Sequence, residues 1–162
     1  VGLCALYLQD LVWAEDAFGS AHQSLPGNDV VLKGLEKVAI LKGDGILRLH
    51  WLESQLHLDP DNPELLRTHA HILVQQGDEN AEKDVRRLEA LGLDTPADRS
   101  LLAGLRHRAG SANEAIDAIE QALAEDNSKP EYWLQYANLL NEADESERAL
   151  EAVDQCLSLI HI

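Results

Sequence analysis

Apolar and small residues recur along this chain at helical spacing, and their phase is held over a period of about 34 residues. Pro63, Pro96 and Pro130 fall one such period apart, and each opens a helix-patterned segment. Between the prolines, Ala70, Ala103 and Ala137 keep one phase in the first helix of each segment. Ala115 and Ala149, again one period apart, keep another in the second. Gly77 and Gly110 each fall at the end of a first helix, where a residue able to take left-handed backbone angles closes the last turn. A helix pair of this length cannot bury its own apolar face, so copies must stack side by side. The pattern predicts an all-α solenoid of antiparallel helix pairs, whose product is an extended groove rather than a catalytic pocket.

The helix starts carry their own signals. Ser111-Ala112-Asn113-Glu114 sets a glutamate three residues after a serine, the pattern of a capping box, and Asp78 is expected to cap the helix that follows Gly77. Asn62-Pro63-Glu64 and Thr95-Pro96 place a capping side chain before a first-turn proline, and Pro130-Glu131 adds an acid to the proline.

In the segment from Pro130, Trp133, Tyr136, Ala137, Leu140, Ala149 and Val153 carry the pattern, and in the segment from Pro96 it is Leu102, Ala103, Gly110, Ala115, Ile119, Ala122 and Leu123. These positions resemble the framework of the tetratricopeptide repeat, a helix-turn-helix unit of about 34 residues. The segment from Pro63 keeps Leu66, Ala70, Leu73 and Gly77, with Ala81 and Val85 as core residues of a second helix one residue short and His69 in place of the usual leucine. From Asn28 to Asn62 the fit is poorer, resting on Leu35, Gly43-Asp44, Leu52, Leu56 and Asp59-Pro60. Gly2, Ala14, Phe18, Ala21 and Pro26 restore it at the start.

The resemblance implies a right-handed αα-superhelix over 1–162: a partial repeat over 1–27, repeats over 28–62, 63–95 and 96–129, and a last repeat over 130–162. Val1-Gly2 fits the middle of a first helix, so the natural chain is expected to extend upstream. The run Leu157 to Ile162 reads like the translated end of a sequencing-library adapter, so 157–162 is expected to be non-native.

Charge narrows the partners. With 29 acids against 13 bases the formal net charge is −16, which disfavours nucleic acid, because neutralising phosphates requires clustered Lys and Arg. No apolar run approaches the roughly 18 residues that a membrane-spanning helix requires. Cys4 and Cys156 fall in the first and last repeats, too far apart in an elongated stack for a disulfide, and Cys156 holds a position normally given to alanine.

Catalytic and metal signatures are weak. His69 and His71 are two residues apart and point to different helix faces, whereas a helical two-histidine site uses i and i+4. Asp59-Pro60-Asp61-Asn62 lacks the glycine and terminal glutamate of a calcium loop. There is no glycine-rich phosphate loop and no nucleophile elbow. The expectation is a non-enzyme without a cofactor or metal.

The groove remains. In the resembling family the concave face is lined mainly by first helices, whose exposed positions correspond here to Lys33, Lys37, Arg67, His71, His107, Arg108, Gln135, Asn138 and Asn141. A basic and amide-bearing strip in an acidic protein suits an acidic segment or a chain-end carboxylate. The reading is an interaction scaffold that binds a peptide or protein segment along this face. The alternatives are a structural segment of a bacterial envelope or exopolysaccharide assembly, or the regulatory arm of an enzyme whose catalytic domain lies elsewhere. Compartment, bacterial cytoplasm or envelope, and oligomeric state stay open.

Overall fold

The structure is a computed structural model and describes residues 1–160, all of whose regular elements are helical. The chain divides into two compact units, Val1–Gln76 and Gly77–Ile162. Unit 1 holds α1 (Gly2–Tyr7), α2 (Leu11–Ser24), α3 (Asp29–Lys42), α4 (Gly45–Leu58) and α5 (Pro63–Gln76). Unit 2 holds α6 (Ala81–Ala90), α7 (Pro96–Arg108), α8 (Ala112–Glu125), α9 (Pro130–Glu142) and α10 (Ser146–Ile160). In each unit every helix packs on the next in the chain, α1 also touches α3, and α7 also touches α9. The fold class is the all-α stack of consecutive helix pairs.

The turn chemistry follows from the sequence with two exceptions. Gly43, Gly77 and Gly110 have φ of 70°, 75° and 79°, so the three glycines occupy the left-handed conformation that stops a helix. Asn62 Oδ1 accepts from the amides of Glu64 and Leu65 at 3.1 and 3.3 Å, capping α5 ahead of Pro63. Thr95 closes a full capping box: its hydroxyl accepts from the Asp98 amide at 3.3 Å, while Asp98 accepts from the Thr95 amide at 2.8 Å.

The box expected at Ser111 and Glu114 does not form. Ser111 is the N-cap of α8 but makes no side-chain cap bond, and its own amide, which Glu114 would have to cap, already donates to the Arg106 carbonyl at 2.9 Å. Asp78 likewise misses α6. It accepts from the Asn80 amide at 2.9 Å, stabilising the turn before the helix, whose first residue is Ala81.

Small residues occupy the tightest contacts. Ala70, Ala103 and Ala115 are fully buried, with Ala137 and Ala149 nearly so. In unit 1, Phe18 of α2 lies against two glycines on the flanking helices. A Cβ on Gly2 would sit 2.8 Å from the ring, and one on Gly34 would sit 2.3 Å from it. The ring therefore fills space that only these glycines leave open. In α10, Leu150, Val153 and Leu157 are exposed, although Ile116, Ile119 and Leu123, the equivalent positions one repeat earlier, are buried in a cluster with α9 residues. Among the described residues no helix follows α10 to cover them. Leu157 to Ile160 complete α10, while His161 and Ile162 lie outside the described residues.

Candidate functional site

Unit 2 has an open groove of about 360 Å³ between α7 and α9. Its lining includes His107 and Arg108 from α7 and Gln135, Asn138 and Asn141 from α9, all five of the strip residues that the sequence assigns to these helices. They converge because they share a helical register. Gln135, Asn138 and Asn141 follow one another at three-residue spacing on α9, and His107 and Arg108 end α7 beside them. Leu139 forms an apolar floor, 4% exposed, and Gly104 adds no side chain to the opposite wall.

The five residues are not equally free. The Gln135 amide is spent on α7: its carbonyl oxygen accepts from the Ser100 hydroxyl at 2.6 Å, and its nitrogen donates to the Ser100 carbonyl at 2.9 Å. Gln135 is thus half-buried and clamps two first helices together while it lines the groove. His107 is half-buried, with Nε2 3.0 Å from Glu142 Oε2, a groove residue that the sequence reading missed. Arg108, Asn138 and Asn141 are exposed, and their side chains make none of the polar contacts found among the described residues. One guanidinium and two primary amides, over an apolar floor, offer donors for a carboxylate and donor-acceptor pairs for a peptide backbone.

A second polar cluster in unit 2 contrasts with this. Tyr136 of α9 donates to Glu120 of α8 at 2.6 Å, and Arg148 of α10 bonds Glu145, Glu120 and Tyr136, its guanidinium 5.7 Å from the tyrosine ring centroid. Burial, then the bond to Glu120, pushes the Tyr136 hydroxyl above its ordinary pKa. The hydrogen bond to Glu145 helps hold the Arg148 guanidinium charged. Tyr136, Glu120 and Arg148 pair with one another and so tie three helices together, along an open groove of about 370 Å³ that Tyr136 and Arg148 line with Trp133 and Glu151.

Of the four strip residues of unit 1, one lines the groove of α3, α4 and α5. Lys33 pairs with Asp29 at 2.8 Å and lines a separate groove of about 580 Å³ with residues of α4 and α5. Lys37, Arg67 and His71 do not line it. Lys37 and His71 are exposed, whereas Arg67 is half-buried and lies 3.6 Å from Glu64. Cys156 is buried, and its thiol donates to the Pro130 carbonyl at 3.3 Å, in keeping with a packed small side chain. No described helix is long and apolar enough to cross a membrane.

A scan against protein-family models finds no match, and neither does a search of the curated proteins. Solved structures are similar across the whole chain. A crystal structure of MamA matches with a TM-score of 0.82 at 16% identity, covering 99% of this chain and 95% of that one. MamA from Desulfovibrio magneticus RS-1, residue 41 to the end, matches with a TM-score of 0.80 at 14% identity, covering 99% and 91%. YrrB, described as a TPR protein with an unusual peptide-binding site, matches with a TM-score of 0.79 at 16% identity, covering 98% and 82%.

Proposed function

Because the chain carries the fold of the tetratricopeptide-repeat proteins, we propose that it is an interaction scaffold whose first-helix grooves bind an extended peptide or protein segment. The observation that supports this best is the α7/α9 groove, in which one free guanidinium and two free side-chain amides surround an apolar floor. A segment lying there hydrogen-bonds its backbone to Asn138 and Asn141 and sets an acidic side chain or terminal carboxylate on Arg108. His107, already beside Glu142, supports the wall, and Gln135 holds α7 and α9 at the width the segment requires. The exposed basic side chains of Lys37 and His71 extend the same preference to unit 1. No group acts as nucleophile or general base in this reading. The protein contributes shape and charge, and chemistry is left to its partners.

The test is affinity for a partner captured from the source cell, measured by calorimetry at two ionic strengths. Binding is expected near 1 µM, about −8 kcal/mol, and to weaken with added salt. Arg108→Glu should weaken it by at least about tenfold, since a charge-assisted bond becomes a repulsion. An affinity unchanged by Arg108→Glu and by Asn138→Ala would remove the groove from the account.

A further inference from the structure

The poorly matching repeat hides a coordinated change. At three registers where the other repeats carry small or apolar buried residues, this one carries polar side chains. Glu36 stands where Ala70, Ala103 and Ala137 stand, Arg48 where Ala81, Ala115 and Ala149 stand, and Gln55 where Leu88, Ala122 and Cys156 stand. The three side chains meet. Gln55 Nε2 donates to Glu36 Oε2 at 2.9 Å, and Arg48 Nε lies 3.5 Å from Glu36 Oε1. With Nε2 also within 3.4 Å of the Trp51 carbonyl, the orientation of the Gln55 amide is set, because only its nitrogen can face two acceptors.

Gln55 Oε1 is then left over. The residue is 2% exposed, and this oxygen has no hydrogen-bond partner among the described residues. A buried acceptor without a donor costs free energy in the unliganded protein, which a ligand that supplies the donor recovers. Gln55 lines the groove of about 580 Å³ between the starts of α3 and α5. The groove rim is acidic. Asp29 is neutralised by Lys33, but among the described residues Asp59 accepts only from the neutral Asn62 amide, and Glu64 is 86% exposed and 3.6 Å from Arg67. Leu58 and Leu65 supply apolar walls.

We infer that this groove binds a cationic hydrogen-bond donor, the ammonium or guanidinium of a lysine or arginine side chain in the bound segment, through Gln55 Oε1 with Asp59 and Glu64 at the rim. The inference rests on the proposal that first-helix grooves take a segment, and it adds the opposite charge preference at this position. Apolar walls receive the alkyl stem, the rim carboxylates hold the charge, and the amide oxygen takes the proton donor that the framework residues Leu88, Ala122 and Cys156 could not.

The test uses the isotope-labelled 162-residue protein. It is titrated with an acetylated, amidated lysine–glycine repeat peptide of about eight residues and, separately, with its glutamate–glycine counterpart. The lysine peptide should shift the Gln55 and Asn62 side-chain amide signals saturably, and the glutamate peptide should not. Gln55→Leu, which restores the Leu88-type residue, should weaken this response by about tenfold or more. Glu64→Gln, at an exposed site where folding is not in question, should weaken it severalfold. Shifts confined to scattered acidic surface residues, no shift at Gln55, or a response indifferent to both variants would overturn the inference. A glutamate peptide that moves Gln55 would overturn it too. The Asn138 and Asn141 side-chain signals report separately on the α7/α9 groove, so failure of this inference is told apart from failure of the reading it rests on.

Discussion

Phe18→Ala is expected to destabilise the protein by about 3–5 kcal/mol, the usual cost of deleting a buried phenylalanine ring. Phe18 is 5% exposed and packs in the cluster of Ala5, Ala14, Val31, Leu35 and Val38. The ring also lies directly against Gly2 and Gly34, where an added Cβ would come within 2.9 Å of it. Three helices lose a shared contact at once. Gly34→Ala should also destabilise, by about 1–3 kcal/mol, although alanine is the better helix former, because its methyl group would meet the ring at 2.3 Å. In Phe18→Ala the same Gly34→Ala change should become stabilising, since the methyl then enters a cavity. Chemical unfolding of the four proteins gives the coupling. Additive effects would mean that the ring does not sit between these glycines.

Leu140→Ala is expected to cost about 2–5 kcal/mol. Leu140 is fully buried in the cluster that α8, α9 and α10 share, with Ile119, Ala122 and Ala149 among its members. Leu134 lies on the same helix but is 52% exposed. Its change to alanine should stay within about 0.5 kcal/mol. The pair fixes the rotation of α9 and so the side on which Asn138 and Asn141 stand. Equal losses at the two leucines, read from denaturant midpoints, would rotate α9 away from the groove described above.

Helix boundaries were the most legible feature, because proline and glycine act through the backbone alone. Pro63, Pro96 and Pro130 each begin a helix, and Gly43, Gly77 and Gly110 each follow one. Side-chain caps were less legible, since they compete with other partners. The Ser111 pattern fails because the Ser111 amide is already taken by the Arg106 carbonyl of the preceding helix end, and the capping box at Thr95 was only half readable, since Asp98 as its second member needs the position of the first turn. The strip behaves similarly. Register alone brings His107, Arg108, Asn138 and Asn141 together, but the bond from Gln135 to Ser100 on the neighbouring first helix follows only from how α7 and α9 pack.

The weak repeat between Asn28 and Asn62 was visible only as a poor fit. One polar residue at an alanine register reads as divergence. Only the packing of α3 on α4 shows that Glu36, Arg48 and Gln55 replace apolar residues together and satisfy one another, leaving one oxygen spare. The turn after Gly77 is one residue short ahead of Ala81, which displaces the later registers, and α6 itself has 10 residues against 14 in α4 and α8. Aligned across that gap, Gln55 and Leu88 share a position, and this offset was the available signal.

The claim that the first-helix groove is the binding face is tested most directly by site-specific photocrosslinking. A benzophenone amino acid is placed at Asn138, exposed in the α7/α9 groove, and in a second protein at Gln121, exposed on α8 and outside the groove. Illumination with the captured partner should give a crosslinked product from position 138, mapped to a single stretch of the partner, and none from position 121. Crosslinking from 121 with none from 138 would contradict the account.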